Sequence, residues 1–136
     1  MRVLAVLSAA AMLSACITST APTQNATSVQ KHTFRTEKFN APGVDTGLLI
    51  IKRDTGMRGS SCIPLISLNG DHVAPINVGQ KLELHVPAGR HSLHAYPNKN
   101  CAAPAIVTSV EIKKSQTTTY RLGFVKREMV FIPTSN

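Results

Sequence analysis

The chain lacks the short motifs on which most enzyme chemistry is built. No G-x-S-x-G turn occurs, and Ser60-Ser61-Cys62 supplies no equivalent elbow for a serine or cysteine nucleophile. There is no Gly-rich phosphate loop and no paired-carboxylate constellation. Cysteine is scarce, at three residues in 136, and none of the three falls in a C-x-x-C redox pair or at zinc-ligand spacing. Acidic residues are also few: 7 against 15 lysines and arginines, for a net charge of +8. Even so, the cations form no dense run, since Lys52-Arg53, Lys113-Lys114 and Lys126-Arg127 are only pairs. The most apolar stretch, Val3 to Met12, has ten residues and is too short to cross a bilayer core, which takes roughly 20.

That short stretch is informative in context. Arg2 precedes it as a positive n-region, and Leu13-Ser14-Ala15-Cys16 follows at once. Small residues at positions 14 and 15 suit a narrow peptidase cleft, and the cysteine supplies a thiol that can accept a diacylglyceryl group. Leu-Ser-Ala-Cys resembles the lipobox of bacterial lipoproteins, in which the modified cysteine becomes the new N-terminus. The resemblance implies a signal peptide over residues 1–15 and a lipid on Cys16. Ile17, which is not aspartate, by the same resemblance to lipoprotein sorting in Gram-negative bacteria favours the outer membrane over the inner one. Removing Arg2 with the signal leaves a charge of +7 on 121 residues, one domain plus a tether. In an exported chain that charge points to anionic lipid or an acidic protein partner rather than to nucleic acid, with dispersed charge for solubility as the plainer alternative.

With Cys16 assigned to lipid, Cys62 and Cys101 remain, an even pair in an oxidising compartment and most simply one disulfide. It closes a loop of about 40 residues, worth on the order of 4 kcal/mol through chain entropy.

Residues 17 to about 29 hold Thr, Ser, Ala, Asn, Gln and Pro without charge, a composition that reads as a tether. Residues 30–44 place Phe34 and Phe39 among Lys31, Arg35 and Lys38. Phe34, Arg35, Lys38 and Phe39 therefore form a candidate partner-binding segment, the alternative being that the two rings pack on the domain as an edge strand or flap. The expected organisation is a signal over 1–15, a lipidated tether or partner-binding segment over 16–44, and a folded domain over 45–136.

From Gly47 onward the pattern is β. Leu48-Leu49-Ile50-Ile51 predicts a strand covered on both faces. Asn69-Gly70 predicts a type I′ hairpin with Leu68 opposite Asp71, Ser67 opposite His72 and Ile66 opposite Val73. Alternation over 82–86 and 93–95 predicts a second hairpin around Ala88-Gly89, pairing Leu84 with Leu93 and Glu83 with His94. A third pairs Ile112 with Thr118 around Lys114-Ser115-Gln116, and Met129-Val130-Phe131-Ile132 returns after Lys126-Arg127. The expectation is an all-β chain: a small antiparallel β-sandwich or barrel of seven or eight strands with one disulfide.

The segments Leu68-Asn69-Gly70, Val73-Ala74, Gly79-Gln80-Lys81 and Val86-Pro87-Ala88-Gly89-Arg90-His91-Ser92-Leu93 together resemble PEGA-type domains, as does the strand entry Ser115 to Arg121. The resemblance covers about half of the mature chain. It implies a compact antiparallel sandwich used for envelope interactions and brings no catalytic residue with it.

Two further patterns invite chemistry. Asp45-Thr46-Gly47 and Asp54-Thr55-Gly56 are D-T-G triplets, but they flank a single strand, which holds the carboxylates at opposite ends instead of sharing a proton. His85 and His94, with Glu83, would share the polar side of the second predicted hairpin and could bind a transition metal. Surface histidines explain the same pattern, so no metal, cofactor or catalytic residue is expected. The sequence favours a non-enzymatic, anchored structural or accessory subunit of an envelope assembly such as a secretion system. The alternative is a stand-alone module for peptidoglycan, anionic lipid or an inhibitor target.

Cys16→Ser should release the protein from the membrane fraction, because multiple acyl chains are what hold such a protein stably. Cell fractionation with mass measurement checks this, and unchanged membrane attachment at unchanged mass would refute it.

Overall fold

A computed structural model describes residues 25–56 and 59–134; the signal segment and Cys16 lie outside these residues. Nine strands are described: β1 (Thr27–Ser28), β2 (Thr46–Arg53), β3 (Leu65–Leu68), β4 (Asp71–Pro75), β5 (Gln80–Pro87), β6 (Gly89–Tyr96), β7 (Ile106–Ile112), β8 (Thr117–Val125) and β9 (Glu128–Thr134). They form a five-stranded sheet, β1-β5-β2-β8-β9, and a four-stranded sheet, β4-β3-β6-β7. The inner faces meet in one core. Leu49, Ile51, Leu82, Leu84, Val86 and Leu122 come from the larger sheet, and Ile66, Leu68, Leu93, Ala95, Val110 and Ile112 from the smaller. Full burial of each large aliphatic side chain contributes about 1.5–3 kcal/mol, before the entropy of ordering it is subtracted. Among the described residues every buried apolar side chain lies between Ala26 and Met129.

Strand β2 occupies the middle of its sheet, as its continuous apolar run predicts, with Ile50 on the outer side only 7% exposed. The sheet is not wholly antiparallel. β2 runs antiparallel to β5 but parallel to β8, and the short β1 runs parallel to β5. Gly47 permits the close approach of β2 to the β7–β8 connection, since a Cβ there would collide with the Lys113 carbonyl.

The Asn69-Gly70 hairpin forms as expected. Both residues have positive φ, 51° and 87°, and Leu68 and Ser67 pair with Asp71 and His72. One residue further on, a β-bulge shifts the ladder, so Ile66 meets Ala74 and not Val73. The bulge turns both Val73 and Ala74 inward, and neither has any accessible surface. The Lys126-Arg127 turn likewise joins β8 to β9 as neighbours, with Val125 opposite Glu128.

The other two predicted hairpins are not hairpins. Only Ala88 separates β5 from β6, too little for a hairpin loop, and the chain passes from one sheet to the other at this corner. Leu84 pairs with Leu49, and Leu93 pairs with Leu68 and Thr108, so Leu84 and Leu93 belong to opposite layers. The connection after Ile112 is likewise an arch between sheets: Ile112 pairs with Gly89, and Thr118 pairs with Leu49. Alternation correctly identified which side of each strand faces the core. It could not distinguish neighbours within a sheet from partners across the core, because both arrangements bury the same residues.

At one end of the sandwich, the lower end, lie residues 54–56 and 59–64, the loops 76–79 and 97–105 and the 126–127 turn. The chain also enters there, with the Thr27 N–H donating to the Gly79 carbonyl at 3.2 Å. The disulfide Cys62–Cys101, with Cα atoms 4.5 Å apart, ties two of these loops together as expected.

Replacing both Cys62 and Cys101 by Ser should lower unfolding free energy by about 2–5 kcal/mol while leaving the β spectrum intact. Denaturant unfolding with and without reductant checks this, and equal midpoints would refute a structural role.

Candidate binding groove

The folded unit begins well before residue 45. After β1, which adds two residues to the edge of β5, the chain makes a 3₁₀ turn over Lys31–Thr33 and crosses the open side of the sandwich. The crossing is fixed by backbone bonds at both edges. The Arg35 N–H donates to the Val73 carbonyl on β4 at 2.7 Å, and the His85 N–H on β5 donates to the Phe39 carbonyl at 2.9 Å. Phe39 closes the core at 3% exposure, and Phe34 is half-buried against it. Lys38 reaches the Asp71 carboxylate at 2.8 Å and lies 5.6 Å from the Phe39 ring. The four residues singled out from the sequence therefore separate into an anchor, Phe39, a groove wall, Phe34, and two exposed cations, Arg35 and Lys38. The segment is a strap on the domain, the alternative that the Phe spacing had left open.

Between strap and sheet runs a groove of about 570 Å³. Val29 and Leu82, nearly fully buried, form its apolar floor, with Phe34 and Ala41 from the strap beside it. Its rim carries both signs, Lys31 and Lys81 against Glu37 and Glu83, and Lys81 bridges Glu83 at 3.1 Å. An apolar floor under a balanced charged rim can take the apolar side chain of a peptide whose backbone and polar neighbours meet the rim.

The two aspartates of the D-T-G triplets flank the eight-residue β2 at opposite ends, about 30 Å apart along the strand. Asp45 is exposed and pairs with Lys114 at 3.4 Å. Asp54 is 4% exposed and receives two bonds from Arg121, at 3.0 and 2.6 Å. The hydrogen bond to Asp54 holds the Arg121 guanidinium above its ordinary pKa. Breaking such a pair strands a buried carboxylate, which is why its role reads as structural.

The histidine arrangement differs from the expected one. Because β5 and β6 lie in different sheets, His85 and His94 project from opposite outer faces, and no joint site with Glu83 assembles. On the smaller sheet, however, His94 stacks on Tyr96 with centroids 5.6 Å apart, and His72 meets the same ring edge-on at 5.8 Å. Ser67 Oγ and His72 Nδ1 are 2.6 Å apart, in a pair that the Asn69-Gly70 register already placed opposite one another. Ser67 has no accessible surface, so the contact satisfies a buried hydroxyl and offers no exposed nucleophile. The Tyr96 contacts need β3, β4 and β6 side by side, which no local pattern in the chain indicates.

Fold and groove together define a two-sheet, disulfide-bonded β domain with a strap across one open side. No family model, curated protein or solved structure matches the chain.

Phe39→Ala should cost about 3–5 kcal/mol of stability, as a buried aromatic does, whereas the half-buried Phe34→Ala should cost clearly less. Urea denaturation of the two variants checks this, and equal small losses would mean that the strap is not part of the fold.

Proposed function

We propose that this chain is a non-enzymatic lipoprotein of the bacterial cell envelope, held in the membrane through Cys16, the outer membrane in preference to the inner. There it acts as a structural or accessory subunit of a larger envelope assembly such as a secretion system. The observation that carries the reading is the Cys62–Cys101 bond. It accounts for two of the three cysteines, accords with an oxidising compartment, and leaves Cys16, at the end of Leu13-Ser14-Ala15-Cys16, for the lipid. The PEGA-like turns support a domain that works by contact rather than by catalysis.

The strap groove is the natural place for a protein partner. It joins apolar floor to polar rim, and it is built from the segment that leads toward the anchor. The second reading is a stand-alone module whose groove takes a small envelope ligand, favoured by the volume of about 570 Å³, within the usual range of ligand sites.

Purification from detergent-solubilised envelopes separates the two. A subunit brings stoichiometric protein partners, and Ala41→Arg, which fills the groove from an exposed position, should lose them with little change in melting temperature. Recovery of the protein alone from both forms would refute the subunit reading.

A further inference from the structure

The outer edge of β5 is interrupted at one residue. Backbone N–H and C=O groups alternate sides along a strand. On the edge away from β2, the Lys81 carbonyl accepts the Val29 N–H at 2.9 Å, and the His85 N–H donates to the Phe39 carbonyl at 2.9 Å. Glu83 lies midway between these two residues, so its own N–H and C=O point to that same edge. β1 has ended by then, with Ser28 opposite Lys81, and among the described residues no backbone group bonds Glu83 there.

The strap causes the interruption. The chain leaves the edge after Val29, reaches β4 where the Arg35 N–H meets the Val73 carbonyl, and returns at Phe39. The two legs of this excursion and the β5 edge enclose the groove, and Glu83 lines it together with Val29, Leu82, Phe34 and Ala41. A bare strand edge beside an apolar floor is what an extended peptide completes. Main-chain hydrogen bonds hold such a peptide, and its alternate side chains enter the adjoining pocket. A small apolar molecule would fill the floor and leave the Glu83 N–H and C=O to water.

The rim adds direction. Lys31 lies two residues after Val29 and Glu37 two residues before Phe39, so they flank the gap at its two ends. Both are exposed, and neither belongs to an ion pair among the described residues, whereas Lys81 and Glu83 bridge each other at 3.1 Å. An occupant with an acid toward Lys31 and a base toward Glu37 matches both charges.

We infer that the groove takes an extended segment of a protein partner by strand addition to β5. One residue of the segment exchanges main-chain hydrogen bonds with Glu83, and a neighbouring apolar side chain lies over Val29 and Leu82. An acidic and a basic residue flank it toward Lys31 and Glu37. The inference rests on the reading of the groove as a protein-docking site and names the form of its occupant. Two main-chain bonds add modest affinity, and they fix the register of the segment.

The probe is a library of random heptapeptides displayed on phage, panned on the full chain purified in detergent. Enriched peptides should carry an apolar residue between an acid and a base. The double variant Lys31→Glu, Glu37→Lys should enrich the same pattern with acid and base exchanged. A synthetic copy of an enriched peptide then measures the backbone contribution. Glu83→Pro deletes the edge N–H, leaves the ladder to β2 intact, and should weaken binding about tenfold. Glu83→Gln keeps the N–H and should stay within about threefold. Methylating the peptide's amide nitrogens one at a time should cost about tenfold at one position, a reading that stands even where Glu83→Pro lowers the melting temperature. No enrichment over the Glu83→Pro protein would overturn the proposal. So would equal weakening by Gln and Pro, or indifference to every methylated amide. Failure of the subunit reading is separate. Protein recovered alone from envelopes would remove that reading while leaving Glu83-dependent peptide binding in place. Envelope partners lost with Ala41→Arg but kept with Glu83→Pro would preserve it and remove strand addition.

Discussion

The guanidinium of Arg53 lies in the core of this protein at 2% exposure, and the organisation of one whole end depends on how it is accommodated. Burial pushes its pKa down, and the adjacent Asp54 acts in the opposite sense. A buried cation without partners would cost several kcal/mol, so its protons must be directed at oxygen. They reach the carbonyls of Gly59 and Cys62, and its planar group lies over the Phe124 ring, 4.7 Å from the centroid. The arginine thus joins the end of the central strand β2 to a loop with little regular structure. The disulfide then passes that restraint to the loop after β6. Arg53 and the cystine act in series, one by hydrogen bonds and one covalently.

The same end shows how charge is allotted in this fold. Arg53 and the Asp54–Arg121 bridge are used inside, where they hold loops and strands in place. Lys99, Lys126 and Arg127 lie on the outer surface. At the opposite end Lys114, Arg90 and Lys38 pair with Asp45, Glu111 and Asp71, and Lys113 is exposed as well. On the open side the strap adds a third arrangement, an apolar floor with both signs on its rim. Two concave surfaces of different lining therefore lie on one small domain, the strap groove and the cleft beside the disulfide.

The strap also explains why an aromatic-poor chain spends two of its four phenylalanines before the main run of strands. The open side of the sandwich needs something large to close it. Phe39 fills it, and Phe34 shapes the groove beside it. From the sequence the two rings were equally consistent with a segment awaiting a partner. Two backbone hydrogen bonds to strands some 40 residues downstream distinguish the possibilities, and such bonds leave no trace in local composition.

Much was legible in the chain itself. Alternation marked the inward face of β5 to β8 because side chains alternate strictly along a strand, and the paired positive-φ residues Asn69 and Gly70 specified their hairpin down to the Ser67–His72 contact. The cysteine count predicted the Cys62–Cys101 bond. The tertiary structure alone decided which strands are neighbours. β5 and β6, and again β7 and β8, could bury the same residues as hairpins or across the core, and the pattern of apolar positions is identical in the two cases. The one-residue corner at Ala88 and the partnership of β2 with both β5 and β8 resolved that choice. With it came the separation of His85 from His94 and the gathering of Lys99, Lys126 and Arg127 at the end where the chain enters. Periodicity reports the direction in which a side chain points; only long-range pairing determines what it finds there.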